Sequence, residues 1–554
     1  MMEEMNRRQF LRYLGAGTAA LASLATGIPA LAAGESLSGK TADHLFGLEN
    51  SPRTFKPVFK PIQPSTKDDI VLPEGFTYDV IAVYGDKINE NGDTFGFNAD
   101  FNAFLPIDGS SEHGLLWTNH EYCGELEYYV NGYDTLNADP ANNRRTPAQI
   151  EKYLYALGGS VTEIKKVNGK WTLVADSQYG RRVTGLTRIS LTGPAAGSSA
   201  MSGAKQVVGT FANCSGGITL WNTILSCEEN YQDVVDDCKL PDASHYGWIV
   251  EVDPFDPKST PKKHTALGRF SHENTAMVLA DSGQLVIYMG DDANDQYVYK
   301  YVSKGKYNPN AGKNNSRLLE DGTLYVADFS KGKWLALDYE RSEKLQTAKD
   351  ENGQPLFTSQ ADVLVNCREA SKALGGTPMD RPEDVEVHPI DRTIFISMTN
   401  NAKHGNFYGQ IVRLLEKGND HAGEEFTFEI FATGGPQSGF AAPDNLAFDS
   451  AGNLWVVTDI SSGSMNSGIY ESFGNNGVFF LPTSGQDKGH VAQFASAPVG
   501  AEMTGPWFTP DEKTLFLSVQ HPGENLTVYD QPTSHWPKGG KQMPLPGVVA
   551  IRGF

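Results

Sequence analysis

Residues Pro443–Ile460 read PDNLAFDSAGNLWVVTDI and contain the pattern that decides the fold. Two short apolar runs, NLAF and NLWVV, flank a polar segment that is rich in turn-forming residues. This pattern predicts a β-hairpin. Because the two strands of a hairpin run in opposite directions, Asp444 at its start and Asp459 at its end are expected at the same edge.

The same unit recurs along the chain. In each instance an apolar strand follows a polar turn and then changes abruptly to carboxylate, amide or imidazole side chains. The six instances are HGLLWTNHEY (His113–Tyr122), NTILSCEEN (Asn222–Asn230), SGQLVIYMGDD (Ser282–Asp292), DRTIFISMTNN (Asp391–Asn401), AGNLWVVTDI (Ala451–Ile460) and EKTLFLSVQHP (Glu512–Pro522). Each has a companion strand upstream, in FNAFLPIDG, CSGGITLWN, HENTAMVLADSG, RPEDVEVHPIDR, PDNLAFDSAGN and TGPWFTPDEK.

A hairpin repeated six times predicts an all-β fold, a six-bladed β-propeller whose blades surround a central channel. Long insertions are expected between the first and second units and between the third and fourth. The main alternative is a β-sandwich, which would not place the same polar change at the same end of each hairpin. Strong helical periodicity is scarce, and the best predicted helix is Pro147–Ala156 with Thr146 as its cap.

In a propeller the inner ends of all blades meet at the mouth of the channel, so residues that are distant in sequence become neighbours. Six or more carboxylates in one funnel repel one another and bind protons strongly unless cations neutralise them. We therefore predict metal ions at this mouth. The converging residues are Asn119, His120, Glu121, Cys214, Glu228, Glu229, His272, Glu273, Asp291, Asp292, Arg381, Glu383, Asp384, Asp444, Asn445 and Asp459.

Two members of this set point to specific chemistry. Calcium prefers oxygen ligands, whereas a thiolate favours a transition metal, so Cys214 indicates iron beside calcium. Arg381 is the one cation of the set, and its planar fork matches phosphate oxygens. The alternative for Arg381 is a structural ion pair with Glu383 or Asp384. His120 and His272 precede acidic residues and are expected to orient ligands rather than bind metal.

The composition limits the possible partners. The chain has 554 residues, with 46 Lys and Arg against 67 Asp and Glu, which gives a formal net charge of −21. This acidic excess argues against a nucleic acid or an anionic membrane as partner, because both require cationic side chains. Five cysteines are an odd number, so at least one is unpaired, and a bridge between Cys227 and Cys238 stays open.

Residues 1–33 are interpreted as a twin-arginine signal peptide. Arg7 and Arg8 precede a mildly apolar run that ends in the small-residue motif ALA. The run is too short and too weakly apolar for a stable membrane span, so an exported protein without a membrane anchor is expected. Residues 34–73 are predicted to be an N-terminal extension, and residues 74–554 the propeller domain.

Several strings together resemble one known family: NCSGGITLWNTILSCEEN, GRFSHENTAMVL with YMGDD, RPEDVEVHP, PDNLAFD with LWVVTD, and MTGPWFTPDEKTLFLSVQHPGE. From about Phe76 to His521 the chain resembles the PhoX-type alkaline phosphatases. The resemblance implies a six-bladed propeller, exported by the twin-arginine machinery to the periplasm or beyond, that holds two ferric ions (Fe3+) and three calcium ions (Ca2+). It also implies that a metal-bound oxo or hydroxide group hydrolyses phosphate monoesters and releases inorganic phosphate.

The resemblance further implies roles for single residues. Arg381 and Cys214 are expected to be catalytic, and Arg381 and Asn119 to bind the phosphate of a small-molecule ester. A monomer is expected. The implied metal ligands are Glu121, Cys214, Glu229, Glu273, Asp292, Glu383, Asp444 and Asp459.

Two other functions fit a propeller with an acidic channel. A calcium-dependent lactonase or esterase needs one or two calcium ions but has no use for Cys214 or Arg381. A non-enzymatic secreted propeller would bind a protein or glycan and use calcium for its structure only. Iron content and phosphatase activity distinguish these alternatives from the phosphatase.

Overall fold

The hairpin that decided the sequence-based prediction is present. Strands Pro443–Phe448 and Leu454–Thr458 pair in antiparallel register, with Phe448 opposite Leu454 and Pro443 opposite Thr458. The computed structural model describes residues 57–139 and 144–554. The predicted signal peptide and the first part of the predicted extension lie outside the described residues.

Six sheets form the fold, and we number them as blades 1 to 6 from the first predicted hairpin onward. Blade 1 contains the strands Ala99–Pro106, His113–His120, Gly158–Val167 and Lys170–Leu173, with Arg181–Val183 beside the third. Blade 2 contains Asn213–Ile218, Ile224–Glu228, Ile249–Val252, Lys262–His264, Arg188–Thr192 and Gln206–Val208. Blade 3 contains Ala276–Leu279, Gln284–Gly290, Val298–Lys306, Gly322–Asp328 and Lys333–Ala336.

The remaining three blades have four strands each. Blade 4 contains Pro382–Val387, Ile394–Met398, Gln410–Glu416 and Phe426–Thr433. Blade 5 contains Pro443–Phe448, Leu454–Thr458, Gly477–Leu481 and Ala492–Ser496. Blade 6 contains Glu502–Phe508, Thr514–Gln520, Gly547–Arg552 and Thr77–Val83, so the first strand of the described chain lies next to the last.

The first strand named for each blade is its inner strand. The inner strand of each blade contacts the inner strand of the preceding blade and, in every blade but blade 3, the second strand of that preceding blade too. The inner strand of blade 1 makes these contacts with blade 6, which closes a ring. Apolar side chains between adjacent sheets form the core, for example Tyr288 of blade 3 with Val385 and Ile396 of blade 4. The predicted all-β, six-bladed propeller is thereby confirmed.

Helices occur mainly in the predicted insertions. The helix at Pro147–Ala156 is confirmed, and Thr146 and Gln149 form a reciprocal capping box at its start. The other α-helices are Glu127–Asn131, Tyr231–Cys238, Glu343–Thr347, Gln360–Val365 and Cys367–Leu374. The 3-10 helices are Gly124–Leu126, Ser199–Met201, Ala243–His245, Thr265–Leu267, Pro309–Leu319, Ala402–His404, Lys417–Asn419 and Gly468–Tyr470.

The segment before the first strand packs on the propeller. Phe59 and Ile70 are buried in the core between blades 5 and 6, and Val71 forms a β-bridge with Ser496. All five cysteines are in the described residues and all are free thiols, including Cys227 and Cys238. In the part of the chain that the structure describes, no helix is long and apolar enough to cross a membrane.

Candidate metal centre and active site

The predicted acidic residues meet at one mouth of the channel. Each inner strand has a candidate ligand at or just before its start, namely Asp100, Cys214, Glu273, Glu383, Asp444 and Glu502 in blades 1 to 6. The second strand of a blade ends at the same mouth because the hairpin is antiparallel. Its end adds Glu121, Glu229, Asp292 and Asp459 in blades 1, 2, 3 and 5.

A repeated backbone feature turns the inner-strand side chains toward the axis. Two positions before the ligand, the chain has a left-handed conformation, with φ of 57° at Asn98, 52° at Ala212, 56° at Arg381 and 52° at Ala442. The strand register then shifts at the ligand, where the inner strand has one residue more than its partner. Such bulges redirect side chains, and a strained φ of this kind persists only where the surrounding structure enforces it.

Three groups of ligand atoms are compact enough for one metal ion each, because the atoms within a group lie within 4.8 Å of one another. Cys214 belongs to the first and second groups and Glu273 to the second and third. The Cys214 Sγ atom lies 3.3 Å from Glu273 Oε1, so the groups form one continuous row. The groups are Asp100 with Glu121 and Cys214, Cys214 with Glu229 and Glu273, and Glu273 with Glu383 and Asp444.

The electrostatics of this row fit bound cations. Glu273 is fully buried, and its Oε2 atom has no hydrogen-bond partner. Burial, followed by the neighbouring Glu383, raises the pKa of Glu273 well above its usual value, and burial followed by Asp292 does the same to the pKa of Glu229 and Glu383. Crowded carboxylates with unused oxygens require neutralisation. Carboxylate oxygens with one thiol suit calcium together with iron.

Arg381 lies among the carboxylates at the mouth. Its Nε and Nη2 atoms contact the two oxygens of Asp292, both at 2.9 Å, and Nη2 lies 2.6 Å from Glu383 and 3.6 Å from Asp459. Burial disfavours the charged guanidinium, but these three carboxylates outweigh it and hold the pKa of Arg381 well above its usual value. The ion pair of Arg381 with Glu383, which was the alternative interpretation of this residue, is therefore present; Asp384 is not its partner.

A cleft with a volume of about 280 Å³ opens beside this arginine. Arg381 and Asp459 supply charged groups to its wall, while Phe407, Ile460 and Tyr470 supply apolar surface. The cleft thus places a cationic, planar hydrogen-bond donor next to the row of candidate metal ligands. This arrangement can bind an anion that also contacts metal ions.

The structure places Asn119 behind Cys214 rather than in the cleft. Asn119 is fully buried, and its Nδ2 atom donates hydrogen bonds to the backbone oxygens of Cys214 and Ser215, both at 2.8 Å. Its Oδ1 atom accepts from Trp117 and Ser226, both at 2.7 Å. This geometry gives the predicted role of Asn119 in substrate binding no support, because every polar atom of the amide is already used.

Several other residues that were predicted to converge at the channel mouth form contacts within the protein instead. Glu228 pairs with Lys263 at 2.7 Å, and Asp291 pairs with Arg368. His120 hydrogen-bonds Ser160 at 2.6 Å, so neither it nor His272, which contacts the Gly268 oxygen at 2.8 Å, orients a candidate ligand as expected. In the acidic pairs at 228–229 and 291–292, the first residue lies within the blade and the second faces the channel.

Sequence reasoning missed Asp100 and Glu502. Asp100 occupies the position of Cys214, Glu383 and Asp444 in its own blade, and Glu502 is the first residue of the inner strand of blade 6. The motifs for these two blades began at FNAFLP and TGPWF, one or two residues too late. Extending both motifs upstream to match the other inner strands would have found them. His521, which was left out of the predicted set, contacts Glu502 Oε1 at 3.0 Å.

Comparisons with known proteins show which proteins this chain is similar to. The family model "Alkaline phosphatase PhoX" matches residues 58–523. The solved structure of Pseudomonas fluorescens PhoX in complex with vanadate, a transition state analogue, is 32% identical, with a TM-score of 0.77, and the match covers 89% of this chain and 97% of that chain.

Two more distant structures also align. A Trichoderma reesei carbohydrate-active enzyme of family AA12 is 9% identical (TM-score 0.36, 89% of this chain and 100% of that chain). A Xanthomonas campestris gluconolactonase is 10% identical (TM-score 0.31, 89% and 98%). At these values neither similarity informs function, and no curated protein sequence matches. The family match over most of its length and the 32% identity show that the chain belongs to the PhoX alkaline phosphatase family.

Proposed function

We propose that this phosphatase hydrolyses small-molecule phosphate monoesters in the cleft beside Arg381, with a row of metal ions held by the candidate ligands at the channel mouth. The observation that carries the proposal is the overlap of three ligand groups through Cys214 and Glu273, directly beside a guanidinium. In the related Pseudomonas fluorescens enzyme, the bound molecule is a transition-state analogue.

Two ferric and three calcium ions are the proposed complement. The single thiol of Cys214 lies in two of the ligand groups and favours iron there, whereas the all-carboxylate group of Glu273, Glu383 and Asp444 favours calcium. When bound, such ions act as Lewis acids on phosphate oxygens and supply a nucleophile at moderate pH. Asp292 and Asp459 complete the anionic surroundings from the second strands.

The chain's own residues orient the ester. Asp292 holds the Arg381 guanidinium in a two-point contact, so its plane is fixed before substrate binds. A fixed guanidinium offsets the negative charge of the equatorial phosphate oxygens without reorganisation. Phe407 and Tyr470 border the cleft on the apolar side, where the organic part of the ester would lie. Asn119 has a positioning role, because its side-chain amide donates a hydrogen bond to the backbone oxygen of Cys214.

Export by the twin-arginine route, to the periplasm or beyond, remains part of the proposal and rests on the signal sequence at residues 1–33. That route carries folded proteins, which suits a propeller whose metal centre assembles only when the ring is complete. A monomer is proposed for the mature protein.

The test compares wild type with Cys214→Ser and, as a matched control, Cys227→Ala. Cys227 is a buried thiol of the same blade that packs in the apolar core. Iron and calcium content are measured by elemental analysis, together with release of nitrophenol from its phosphate ester with and without chelator. We expect Cys214→Ser to lose iron and activity with unchanged circular dichroism, and Cys227→Ala to keep both.

Normal iron content and turnover in Cys214→Ser would contradict the assignment of this residue. Wild-type protein that contains calcium but no iron, and cleaves a lactone but no phosphate ester, would favour the calcium-dependent lactonase instead. Wild-type protein without any hydrolase activity would favour the non-enzymatic propeller.

A further inference from the structure

A second cavity lies at the other end of the channel, with a volume of about 380 Å³. Its rim includes Pro389 and Pro510, which belong to the turns between the inner and second strands of blades 4 and 6. The candidate ligands Glu383 and Glu502 lie at the opposite ends of the same inner strands. The cavity therefore opens on the face of the propeller that is remote from the candidate metal centre.

Two carboxylates of blade 4 line this cavity. Asp384 and Glu386 both belong to the inner strand Pro382–Val387, and both side chains line the cavity. Asp384 is only 3% exposed; its Oδ2 atom accepts a hydrogen bond from the Leu446 backbone at 2.8 Å, while Oδ1 is buried without a partner. A buried carboxylate oxygen without a partner requires a donor that the chain does not provide.

Apart from Glu512 at the rim, the rest of the cavity lining is uncharged and in part aromatic. Among the described residues that line it, none is Lys, Arg or His. Phe101 and Trp507 stand edge to face at 5.9 Å, and Phe448 and Phe508 add further aromatic surface. Carboxylates beside aromatic faces are the combination that recognises ammonium groups, by ion pairing and by cation–π attraction.

The same observations argue against a calcium ion. Calcium requires about six to eight oxygen ligands, and the cavity offers few. Its third carboxylate, Glu512, is already used in hydrogen bonds to Ser450 at 2.6 and 2.9 Å. We propose that this cavity binds a small organic ammonium ion, with Asp384 and Glu386 pairing with its charge and Phe101 and Trp507 enclosing its aliphatic part.

Isothermal titration calorimetry on the calcium-saturated holoenzyme tests the proposal, with putrescine as the probe and butanediol as the uncharged control of equal length. Putrescine is expected to bind and butanediol is not. Glu386→Gln should weaken putrescine binding by about tenfold or more, since it removes a charge-assisted contact. Glu512→Gln, the matched control at the rim, should leave the affinity unchanged. Phosphatase activity of Glu386→Gln should equal that of wild type and shows that the variant is folded.

Any of four results would overturn the proposal. Wild-type protein that binds no putrescine at concentrations in the tens of millimolar would mean that the cavity is not an ammonium site. Equal binding of putrescine and butanediol, or putrescine binding that Glu386→Gln does not change, would mean that the charge plays no part. Loss of one bound calcium ion in Glu386→Gln, without any binding of putrescine to wild type, would identify a metal site.

Discussion

Glu228 and Glu229 are adjacent in the chain and both are buried, yet their surroundings differ completely. Glu228 lies 2.7 Å from the Lys263 ammonium and accepts hydrogen bonds from the backbones of Gly247 and Trp248 at 2.9 and 3.0 Å. Glu229 faces the channel, where burial and then Asp292 raise its pKa well above the usual value. The carboxylate of Glu228 is thus neutralised by a lysine of the protein itself. The carboxylate of Glu229 has other carboxylates as its neighbours instead.

A second buried pair repeats the first arrangement. Glu416 of blade 4 lies 3.0 Å from Lys300 of blade 3, and Tyr288 donates a hydrogen bond to it at 2.7 Å. In both of these pairs the buried carboxylate has a lysine of the protein as its partner. The channel mouth instead collects nine carboxylates around one guanidinium, that of Arg381: Asp100, Glu121, Glu229, Glu273, Asp292, Glu383, Asp444, Asp459 and Glu502.

The largest effect is expected from Glu273→Gln, because this side chain is shared by two ligand groups. Phosphatase turnover should fall by about 10²–10³-fold or more, in the range seen when a key electrostatic contact is removed. The metal-free variant should, in contrast, be more stable than metal-free wild type, since one repelling carboxylate is gone. Steady-state kinetics, elemental analysis and urea unfolding in chelator measure the three quantities.

Unchanged turnover and metal content in Glu273→Gln would contradict its place in the centre. A lower stability of the metal-free variant would contradict the repulsion among the channel carboxylates.

Lys263→Met should have the opposite effects, because it should lower stability and leave the metal centre unchanged. It leaves the fully buried Glu228 without its cation, which costs about 3–5 kcal/mol of folding free energy. Iron and calcium content and turnover per folded molecule should stay at wild-type values. The double variant Lys263→Met with Glu228→Gln should recover part of the stability in urea unfolding, and a double variant that recovers none would show that the pair is not an isolated unit.

Metal-free protein should lose stability as the pH rises. Burial raises the pKa of Asp100 to about 7 from 3.8, so the folded state keeps a proton that the unfolded state has lost. The free energy of unfolding should therefore fall between about pH 4 and pH 7, by about 1.4 kcal/mol per pH unit for this group. The metal-loaded protein should show a flatter dependence in urea unfolding at a series of pH values, and equal slopes with and without bound metal would argue against metal binding here.

The smallest effect is expected at an exposed pair. Lys304 and Asp321 lie 3.3 Å apart, with side chains 77% and 69% exposed. Lys304→Ala should change the free energy of unfolding by less than about 1 kcal/mol, because solvent screens such a pair. A loss of unfolding free energy as large as that of Lys263→Met would show that burial does not determine how much an ion pair contributes to stability.

The fold was predictable from the sequence because the hairpin signal is local. Turn residues such as the DSAGN of blade 5 and the capping residues Thr146 and Gln149 act over a few positions, and both elements form as predicted. The number of blades followed from counting those signals. The closing strand Thr77–Val83 was not part of any repeat, and its partner is more than four hundred residues away in sequence.

The site was predictable only in part, since side-chain direction depends on backbone details. Cys214, Glu229, Glu273, Glu383 and Asp444 fall into compact ligand groups, and the hairpin register is enough to expect this. The left-handed residues and the bulges decide which of two adjacent polar residues joins the candidate metal centre: Glu383 does, whereas Asp384 lines the cavity at the other end of the channel. No pattern in the sequence marks those conformations, because Ala212 and Ala442 are not residues that favour a positive φ.

Blade 6 joins the two ends of the described chain, and Gln520 of this blade donates hydrogen bonds to both Asp100 at 3.1 Å and Glu121 at 2.7 Å in blade 1. The interface between blade 6 and blade 1, where the ring closes, therefore includes the first ligand group. Asp100 and Glu121 of this group acquire their contacts with Gln520 only once blades 1 and 6 have met, so the first ligand group depends on closure of the ring.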